Sequence, residues 1–301
     1  MKKVSVIIPC HNGEQWLEES IRSAFAQGDC EVIVVVDSSS DQSLQIAQSI
    51  SGVCVLEGNW GNGNSARNAG LQQASGEWVQ FLDADDYLLP NKIEGQLSEV
   101  KSETDVIYSP ISVRDEGEDS VTKGEGRVSE DEIELWLRWE LCQTGAALWK
   151  RESLGKIGGW KEGLPCCQDN EVTLRALREG LHFQFVDKPG AVYRIWSEGT
   201  VCRKNPQKVI TQKTKLIDAC LRWLEDEKRM SEGYREVVGE SCFEMARTLA
   251  KYDLSEANTY FKERKARGLM KVTGPAAPLR YKLLAKTVGF GAAEKIAKIL
   301  R

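Results

Sequence analysis

The sequence predicts an α/β protein with a mostly parallel sheet flanked by helices, followed by a helical C-terminal extension. Three observations predict this fold class. Apolar, β-rich runs alternate with segments of helical periodicity up to Ser109, as they do in βαβ units. Acidic residues follow several of these runs, at the positions where strands of an open parallel sheet end. Beyond Pro206 the periodicity is helical throughout.

The first part of the chain contains five predicted strands, and a predicted helix follows each of the first four. In the first helix, Leu17, Ile21 and Ala24 recur at helical spacing, and Ser40-Asp41 is a capping signal for the second. The strands are Val4–Pro9, Glu31–Val36, Val53–Leu56, Trp78–Leu82 and Asp105–Ser109. The helices are Glu14–Gln27, residues 41–50, residues 64–74 and Pro90–Val100.

Residues 114–134 are acidic and rich in glycine, which predicts a loop. Ser129 and Glu132 have the spacing of a capping box for a helix through Glu140. The later predicted elements are the strand Thr144–Lys150, the helix Gln168–Gly180, the strands Phe183–Val186 and Ala191–Ile195, the helices Gln207–Lys228, Ser231–Tyr252 and Ser255–Arg267, and two short helices after Pro278. We therefore predict one domain over residues 1–204 and a helical region over residues 205–301.

Composition excludes several classes of protein. A chain of 301 residues that is 41% hydrophobic can bury a sizeable core, and its net charge of −5 argues against a nucleic-acid partner. The nine cysteines are odd in number and form no C-x-x-C pair, which predicts reduced thiols in the cytoplasm. We expect neither a signal peptide nor a membrane-spanning helix, because no apolar run approaches the required ~18–20 residues.

The most informative stretch is Asp83-Ala84-Asp85-Asp86, directly after the predicted strand Trp78–Leu82. Carboxylates crowded at a strand end repel one another unless a cation joins them, and hard oxygen ligands suit Mg²⁺ or Mn²⁺. The alternative is a solvated turn that caps the next helix, since Pro90 suits a helix start.

Other polar side chains are predicted to meet these acids. Asp37 ends the second strand and His11 follows the first. Because parallel strands end at one edge of a sheet, His11, Asp37, Asp83 and Asp85 are expected to line one crevice. A rival pattern is Gly61-x-Gly63-x-x-Ala66 after the third strand, which imitates the dinucleotide fingerprint of an NAD-dependent dehydrogenase. The first strand lacks a glycine turn, however, and a dinucleotide site explains neither Asp85 nor Asp86.

Taken together, these motifs resemble glycosyltransferase family 2 over roughly residues 3–200. The resemblance is carried in order by Val4–Glu14, Asp37–Asp41, Asn64–Gly70, Ala74–Glu77, Asp83-Ala84-Asp85, Gly158–Trp160 and Gln168–Glu171. It implies a GT-A fold and a metal-dependent hexosyltransferase that inverts the anomeric carbon. The implied donor is a nucleoside-diphosphate sugar, most often a UDP-sugar, and the implied acceptor is a glycan or glycolipid of the cell surface.

The resemblance also implies roles for individual residues. Asp37 would accept from the base, Asp83 from the ribose, and Asp85 would hold Mn²⁺ or Mg²⁺, while Asp169 would be the general base. The complete set of implied nucleotide-sugar contacts is Pro9, His11, Asn12, Glu14, Asp37, Arg67, Asp83 and Ala84. The alternatives are a helix cap for Asp37, a surface arginine for Arg67, and a helix-start acid for Asp169.

Several positions depart from the family pattern. His11 stands where a tyrosine is usual, Val36 and Gln168 replace frequent acids, and Trp196 follows Tyr193-Arg194-Ile195 where the family often has a histidine. The changes at Val36, Gln168 and Trp196 leave open a degenerate transferase that serves as a binding subunit. Retention of the acids at positions 37, 83, 85 and 169 argues against that alternative.

The C-terminal tail is strongly basic. Residues 262–301 hold eleven Lys and Arg against Glu263 and Glu294, a net charge of +9, so the rest of the chain carries −14. Leu283, Leu284, Val288 and Phe290, with the Ile296–Leu300 segment, offer apolar surface beside lysines. This predicts peripheral contact of residues 279–301 with the inner face of the plasma membrane. The alternative is a tail packed on the catalytic domain.

Overall fold

The structure is a computed structural model, and it describes residues 4–196 and 205–299. The chain divides into two compact units. The first comprises Met1–Glu132 and Leu141–Ser197, and the second comprises Ile133–Glu140 and Glu198–Arg301. The predicted domain boundary after residue 204 adjoins residues 197–204, which lie outside the described ranges. The segment at residues 133–140 belongs to the second unit, although it lies within the first predicted domain.

Eleven strands and twelve helices are described. The strands are β1 (Val4–Cys10), β2 (Cys30–Asp37), β3 (Val53–Gly58), β4 (Trp78–Phe81), β5 (Tyr87–Leu88), β6 (Val106–Tyr108), β7 (Ile111–Asp115), β8 (Ser120–Thr122), β9 (Leu148–Lys150), β10 (Phe183–Phe185) and β11 (Ala191–Ile195). The helices are α1 (Leu17–Phe25), α2 (Ser43–Ser49), α3 (Gly63–Gln73), α4 (Lys92–Leu97), α5 (Glu132–Leu137), α6 (Arg151–Lys156), α7 (Gln168–Arg178), α8 (Pro206–Asp226), α9 (Glu232–Tyr252), α10 (Leu254–Ala266), α11 (Leu279–Val288) and α12 (Phe290–Ile299).

The first unit is built on a seven-stranded sheet in the order β10-β6-β9-β4-β1-β2-β3. All of its pairings are parallel except those of β9, which runs antiparallel to both β4 and β6. The predicted α/β class with a mostly parallel sheet is confirmed. The carboxyl ends of β1, β2 and β4 meet at one edge, so the residues that follow them lie close together.

A smaller sheet in the order β5-β11-β7-β8 stands beyond the turn that follows β4. It corrects the predicted loop over residues 114–134, because Val113 pairs with Thr122 and Asp115 with Ser120 across an antiparallel ladder. The predicted strand Thr144–Lys150 is also shorter, since a 3-10 turn occupies Thr144–Ala146. The strand β7 also pairs in parallel with the distant β11, and local periodicity does not report pairing of that kind.

Both faces of the central sheet are buried, as expected for parallel strands covered by helices. Val6 and Ile8 point into one apolar layer, whereas Ile7 points into the other. The helix α3 lies unusually close to β1, because a Cβ at Gly70 would stand 2.4 Å from Ile7 Cγ2. Glycine within the Asn64–Gly70 motif is thus explained by packing.

The second unit consists of α8–α12 together with residues 133–140. Its core includes Ile217, Cys220, Val238 and Phe243, all of them buried. Buried Arg264 forms a bidentate ion pair with Asp218, at 2.6 and 2.9 Å, and so ties α10 to α8. No helix among the described residues is both long and apolar enough to cross a membrane.

Candidate active site

The floor of the crevice is formed where β1 and β2 end. His11 Nδ1 lies 2.7 Å from the carbonyl oxygen of Asp37, and because a carbonyl only accepts, Nδ1 is the protonated nitrogen. Asp37 Oδ1 accepts from the backbone N–H groups of Trp60 and Gly61, at 2.7 and 3.2 Å. Asp37 is buried. Its hydrogen bonds with backbone N–H groups therefore go to the segment after β3 and not to α2, where Ser43 N donates to Asp41 Oδ1 at 3.0 Å.

The residues after β1 fasten the loop that follows β2. Asn12 has a left-handed backbone (φ 52°), and its Oδ1 accepts from Ser40 N at 2.8 Å. Glu14 Oε2 accepts from Gln42 N at 2.9 Å. Pro9 pairs with Val35 within β1. The predicted contacts Pro9, Asn12 and Glu14 thus lie at the crevice. The side chains of Asn12 and Glu14 accept from backbone N–H groups of the loop after β2.

Arg67 is the centre of the site. Its Nη2 donates to Asp83 Oδ1 at 2.5 Å, and its Nη1 donates to Gln168 Oε1 at 2.9 Å. The guanidinium also stacks on Trp160, 4.7 Å from the ring centroid. Because only 6% of Arg67 is exposed, the alternative interpretation as a surface arginine is wrong. Arg67 joins the Asp83–Asp86 turn to the start of α7.

The turn after β4 does not cap the next helix, since α4 begins after Asn91. Ala84 approaches the end of β1, because its Cβ would lie 3.4 Å from a Cβ placed on Gly13. Burial, followed by the charge of Asp83, raises the pKa of Asp85 above the usual carboxyl value. Burial together with the charges of Asp83 and Asp85 raises the pKa of Asp86 further.

Contacts from β11 hold this turn. Arg194 N donates to Asp86 Oδ1 at 2.8 Å, and Arg194 Nε donates to the carbonyl oxygen of Asp85 at 2.9 Å. Trp196 Nε1 donates to Asp85 Oδ2 at 2.8 Å. The backbone and one carboxylate oxygen of Asp85 are therefore both held by residues at or just beyond the end of β11.

The donor set fits a divalent metal only when a ligand supplies further oxygens. Among the described residues, no group of three or more His, Cys, Asp and Glu side chains could hold a metal by itself. Asp83 is paired with Arg67, which leaves Asp85 as the acid of the turn suited to coordination. Mg²⁺ is commonly bound through one or two carboxylates and substrate phosphates, and Asp85 matches that arrangement.

Asp169 lies in the first turn of α7, and its Oδ1 accepts from Asn170 N at 2.9 Å. Burial is the main cause that raises the pKa of its carboxyl, and the nearby charge of Asp83 adds to it, whereas Arg67 lowers the pKa. These influences place Asp169 within the electrostatic range of the Arg67–Asp83 pair. A raised pKa makes a carboxylate a stronger base at neutral pH.

Sequence reasoning missed the contacts made by Arg194, Trp196 and Gln168. Trp196 and Gln168 had a signal, because both depart from the family pattern. Arg194 had a weaker one, as a charged residue inside a strand whose side chain proves almost fully buried.

The chain is similar in sequence to known glycosyltransferases. The family description "Glycosyl transferase family 2" matches residues 5–160. An uncharacterized glycosyltransferase of Rickettsia typhi is 31% identical over 186 residues, which is 58% of each chain. The GalNAc(5)-diNAcBac-PP-undecaprenol beta-1,3-glucosyltransferase of Campylobacter jejuni is 29% identical over 83% of this chain and 84% of its own. The first of these alignments thus spans little more than half the length of the relative.

Solved structures share the fold at low identity. Staphylococcus aureus TarS 1-349, in complex with UDP, has a TM-score of 0.67 at 20% identity and covers 99% of this chain and 92% of its own. The mannosyltransferase PcManGT of Pyrobaculum calidifontis, in complex with GDP-Man and Mn²⁺, has a TM-score of 0.55 at 15% identity and covers 99% and 86%. These likenesses support the GT-A fold.

Proposed function

The chain belongs to glycosyltransferase family 2, and on that premise we propose that it transfers a sugar from a UDP-sugar to an acceptor hydroxyl, with inversion of the anomeric carbon. The observation that carries the proposal is the bridge made by Arg67. A buried guanidinium joins Asp83, on the donor side, to Gln168, which precedes the proposed base Asp169. A donor site and a base held together by one side chain are what an inverting displacement needs.

The donor is proposed to bind along the ends of β1, β2 and β4. Asp37 would accept the N3–H of uracil through Oδ2, since its described hydrogen bonds go to Oδ1. The His11 ring is exposed and oriented by its bond to Asp37, and would stack on the base. Asp83 would accept from the ribose hydroxyls. A solved TarS structure in complex with UDP-GlcNAc is similar in fold (TM-score 0.56), which supports a nucleotide sugar of this class.

Asp85 would hold Mn²⁺ or Mg²⁺ together with oxygens of the donor diphosphate. When bound, the metal supplies Lewis-acid neutralisation of the leaving nucleoside diphosphate. Two neighbouring arginines would support this arrangement without binding the metal. Arg194 holds the Asp85 backbone, and Arg67 balances the charge of Asp83.

Asp169 would remove the proton from the acceptor hydroxyl. As that proton leaves, the acceptor oxygen bonds to the anomeric carbon from the face opposite the diphosphate, and the bond from carbon to diphosphate oxygen breaks. Burial is the main cause that raises the pKa of this carboxyl, and a raised pKa makes the carboxylate a better proton acceptor.

The acceptor is proposed to be a glycan or glycolipid in cell-surface assembly, reached from the cytoplasmic face of the plasma membrane. The support is an exposed basic and apolar face of α11, which we call the α11 face and define as Leu279, Arg280, Lys282, Leu283 and Lys286. Leu279 and Leu283 are 73% and 59% exposed. On a helix these residues share one side, and Tyr281 on the opposite side is buried. Phe290, expected in the apolar surface, is instead buried.

A panel of nucleotide sugars tests the proposed transfer. Incubation of the full chain with UDP-sugars and Mn²⁺ should release UDP, and an acceptor glycan should accelerate the release. Asp169→Asn is the control that should retain donor binding and lose turnover. Donor binding without any turnover in the wild type would instead support the degenerate binding subunit, and binding of NAD(H) alone would support the dehydrogenase.

A further inference from the structure

The indole of Trp196 contacts the carboxylate proposed to hold the metal. Its Nε1 donates to Asp85 Oδ2 at 2.8 Å, although the side chain is 45% exposed. An indole nitrogen is a donor only, so it cannot ligate a metal as a histidine can. Position 196 therefore offers a hydrogen bond to the acid in place of a direct metal ligand.

The contact completes a set of three donors that reach the turn from one direction. Arg194 N binds a carboxylate oxygen of Asp86, and Arg194 Nε binds the carbonyl oxygen of Asp85. Those two bonds fix the turn itself and do not act on the Asp85 carboxylate. The carboxylate accepts from Trp196 Nε1 and from the backbone N–H of Asp85 itself, so among the described residues Trp196 supplies its side-chain donor.

We propose that Trp196 is a positioning residue that orients Asp85 and reserves Oδ1 for a metal bound to the donor diphosphate. The inference rests on the proposed metal role of Asp85. Carboxylates that ligate metals are usually held by outer hydrogen bonds, and loss of such a partner costs 10–100-fold in metal affinity. With Oδ2 accepting from the indole, Asp85 would offer Oδ1 to the metal, and we expect appreciable metal binding only when the nucleotide supplies further oxygens.

Removal of the indole N–H could change metal affinity in either direction, and the direction of the change tests the inference. If the indole competed with the metal for Asp85, then removing its N–H would tighten metal binding. If the indole positions Asp85, removing the N–H weakens it. Because Trp196 is exposed, its substitution should change the stability of the fold little, and either effect on metal affinity can be measured on a folded protein.

Mn²⁺ affinity measured by the EPR signal of the free ion, on the full chain with saturating UDP and in parallel with GDP, decides the matter. Trp196→Phe keeps an aromatic ring without a donor, and the Mn²⁺ dissociation constant should rise 10–100-fold. Nucleotide affinity without metal should not change. Trp196→Leu is a second donor-free variant if Trp196→Phe does not fold.

Two controls separate the inference from the proposed function. Trp139→Phe removes another indole donor, to Ser241 in the second unit, and should leave Mn²⁺ affinity unchanged. Asp85→Asn should abolish nucleotide-dependent Mn²⁺ binding. Unchanged or tighter binding by Trp196→Phe, with Asp85→Asn inactive in binding, overturns the role of Trp196 alone. Wild-type binding by Asp85→Asn, or no Mn²⁺ binding by the wild type with either nucleotide, overturns the proposed metal role and this inference with it.

Discussion

Asp169 combines two properties at the scale of a single residue. It stands in the first turn of α7, where the helix dipole favours its charged form, yet burial raises its pKa. Glu171, two positions on, is the nearest rival for the role of base. Its carboxylate is bound by Arg175 at 2.8 Å and is almost fully buried, so it is committed to an ion pair within the helix.

Replacing Asp169 by asparagine should reduce turnover by about 10²–10⁴-fold with little change in donor affinity, because only basicity is removed. Activity of the wild type requires the ionised carboxylate, so the rate should fall as pH decreases through its pKa. Since that pKa is raised, the fall should begin above the usual carboxyl range. Steady-state kinetics with a pH series check both points, and near-normal turnover of the variant would assign the base elsewhere.

Lys92 is a second residue whose charge state is set by burial. Its amine contacts Gln80 Oε1, and desolvation lowers the pKa of Lys92 to about 7. In the unfolded chain the pKa of a lysine is near 10.4. Between these values the unfolded chain binds a proton that the folded chain does not. Folding stability should therefore rise as pH increases from about 7 toward 10.

Lys92→Met should abolish that contribution. The free energy of unfolding of the variant, relative to wild type, should be most favourable near pH 7 and should become less favourable by pH 10. A constant offset from the lost contact with Gln80 does not affect this slope. Urea denaturation at several pH values measures it, with the exposed Lys161→Met as control. A difference that does not vary with pH would show that the Lys92 pKa is not lowered.

At the scale of elements, the packing of α3 on β1 brings Arg67 to the crevice. The close approach depends on Gly70, whose missing side chain leaves room for Ile7. Asn62 caps α3 by accepting from Asn64 N and Ser65 N, so the helix begins one turn before Arg67. Capping and close packing together determine where the guanidinium emerges.

Gly70→Ala should destabilise the chain by about 1–3 kcal/mol, because the added methyl overpacks against Ile7 on a buried strand. The opposing gain in helix propensity is about 1 kcal/mol, so the clash should prevail. Gly155→Ala is the matched control in α6, where a Cβ meets nothing within 4 Å, and it should stabilise slightly. Urea midpoints compare the two, and equal effects would contradict the packing argument.

At the scale of the whole molecule, charge is distributed unevenly along the chain. The basic C-terminal segment contrasts with an acidic remainder, and Arg247 engages the buried Glu294 at 2.7 Å. One of the two acids of the basic segment is thereby neutralised within the second unit. The exposed lysines on α11 and α12 therefore keep a positive charge that would be attracted to anionic lipids.

The full chain should sediment with anionic liposomes at low salt and less so at high salt, since each cation near the surface adds about 1 kcal/mol. Replacing Lys282 and Lys286 by glutamate and Leu283 by serine should abolish pelleting. Val121→Ser with Lys123→Glu changes a similarly exposed apolar and basic pair on or beside β8, and should have no effect. Equal pelleting of all three proteins, or of none, would contradict membrane contact by the α11 face.

Much of the fold could be predicted because it depends on local periodicity. Each of the first four strands was located within a few residues, as were the helices that follow the first three. The acids after β4 were visible as a motif, and Asp169 as part of another. What stayed out of reach was pairing between distant segments, including the antiparallel insertion of β9 and the sheet formed by β5, β11, β7 and β8.

The sequence by itself therefore determined the α/β class, the family and the residue types that surround the crevice. Tertiary structure alone decided their partners. Arg67 reaches Gln168 across 101 positions, and Trp196 reaches Asp85 across 111. The physical reason is that periodicity records which face of an element is buried, whereas a hydrogen bond between distant elements depends on how their faces pack. Only that packing shows that the buried Arg67 donates to both Asp83 and Gln168, and that the indole of Trp196 donates to Asp85.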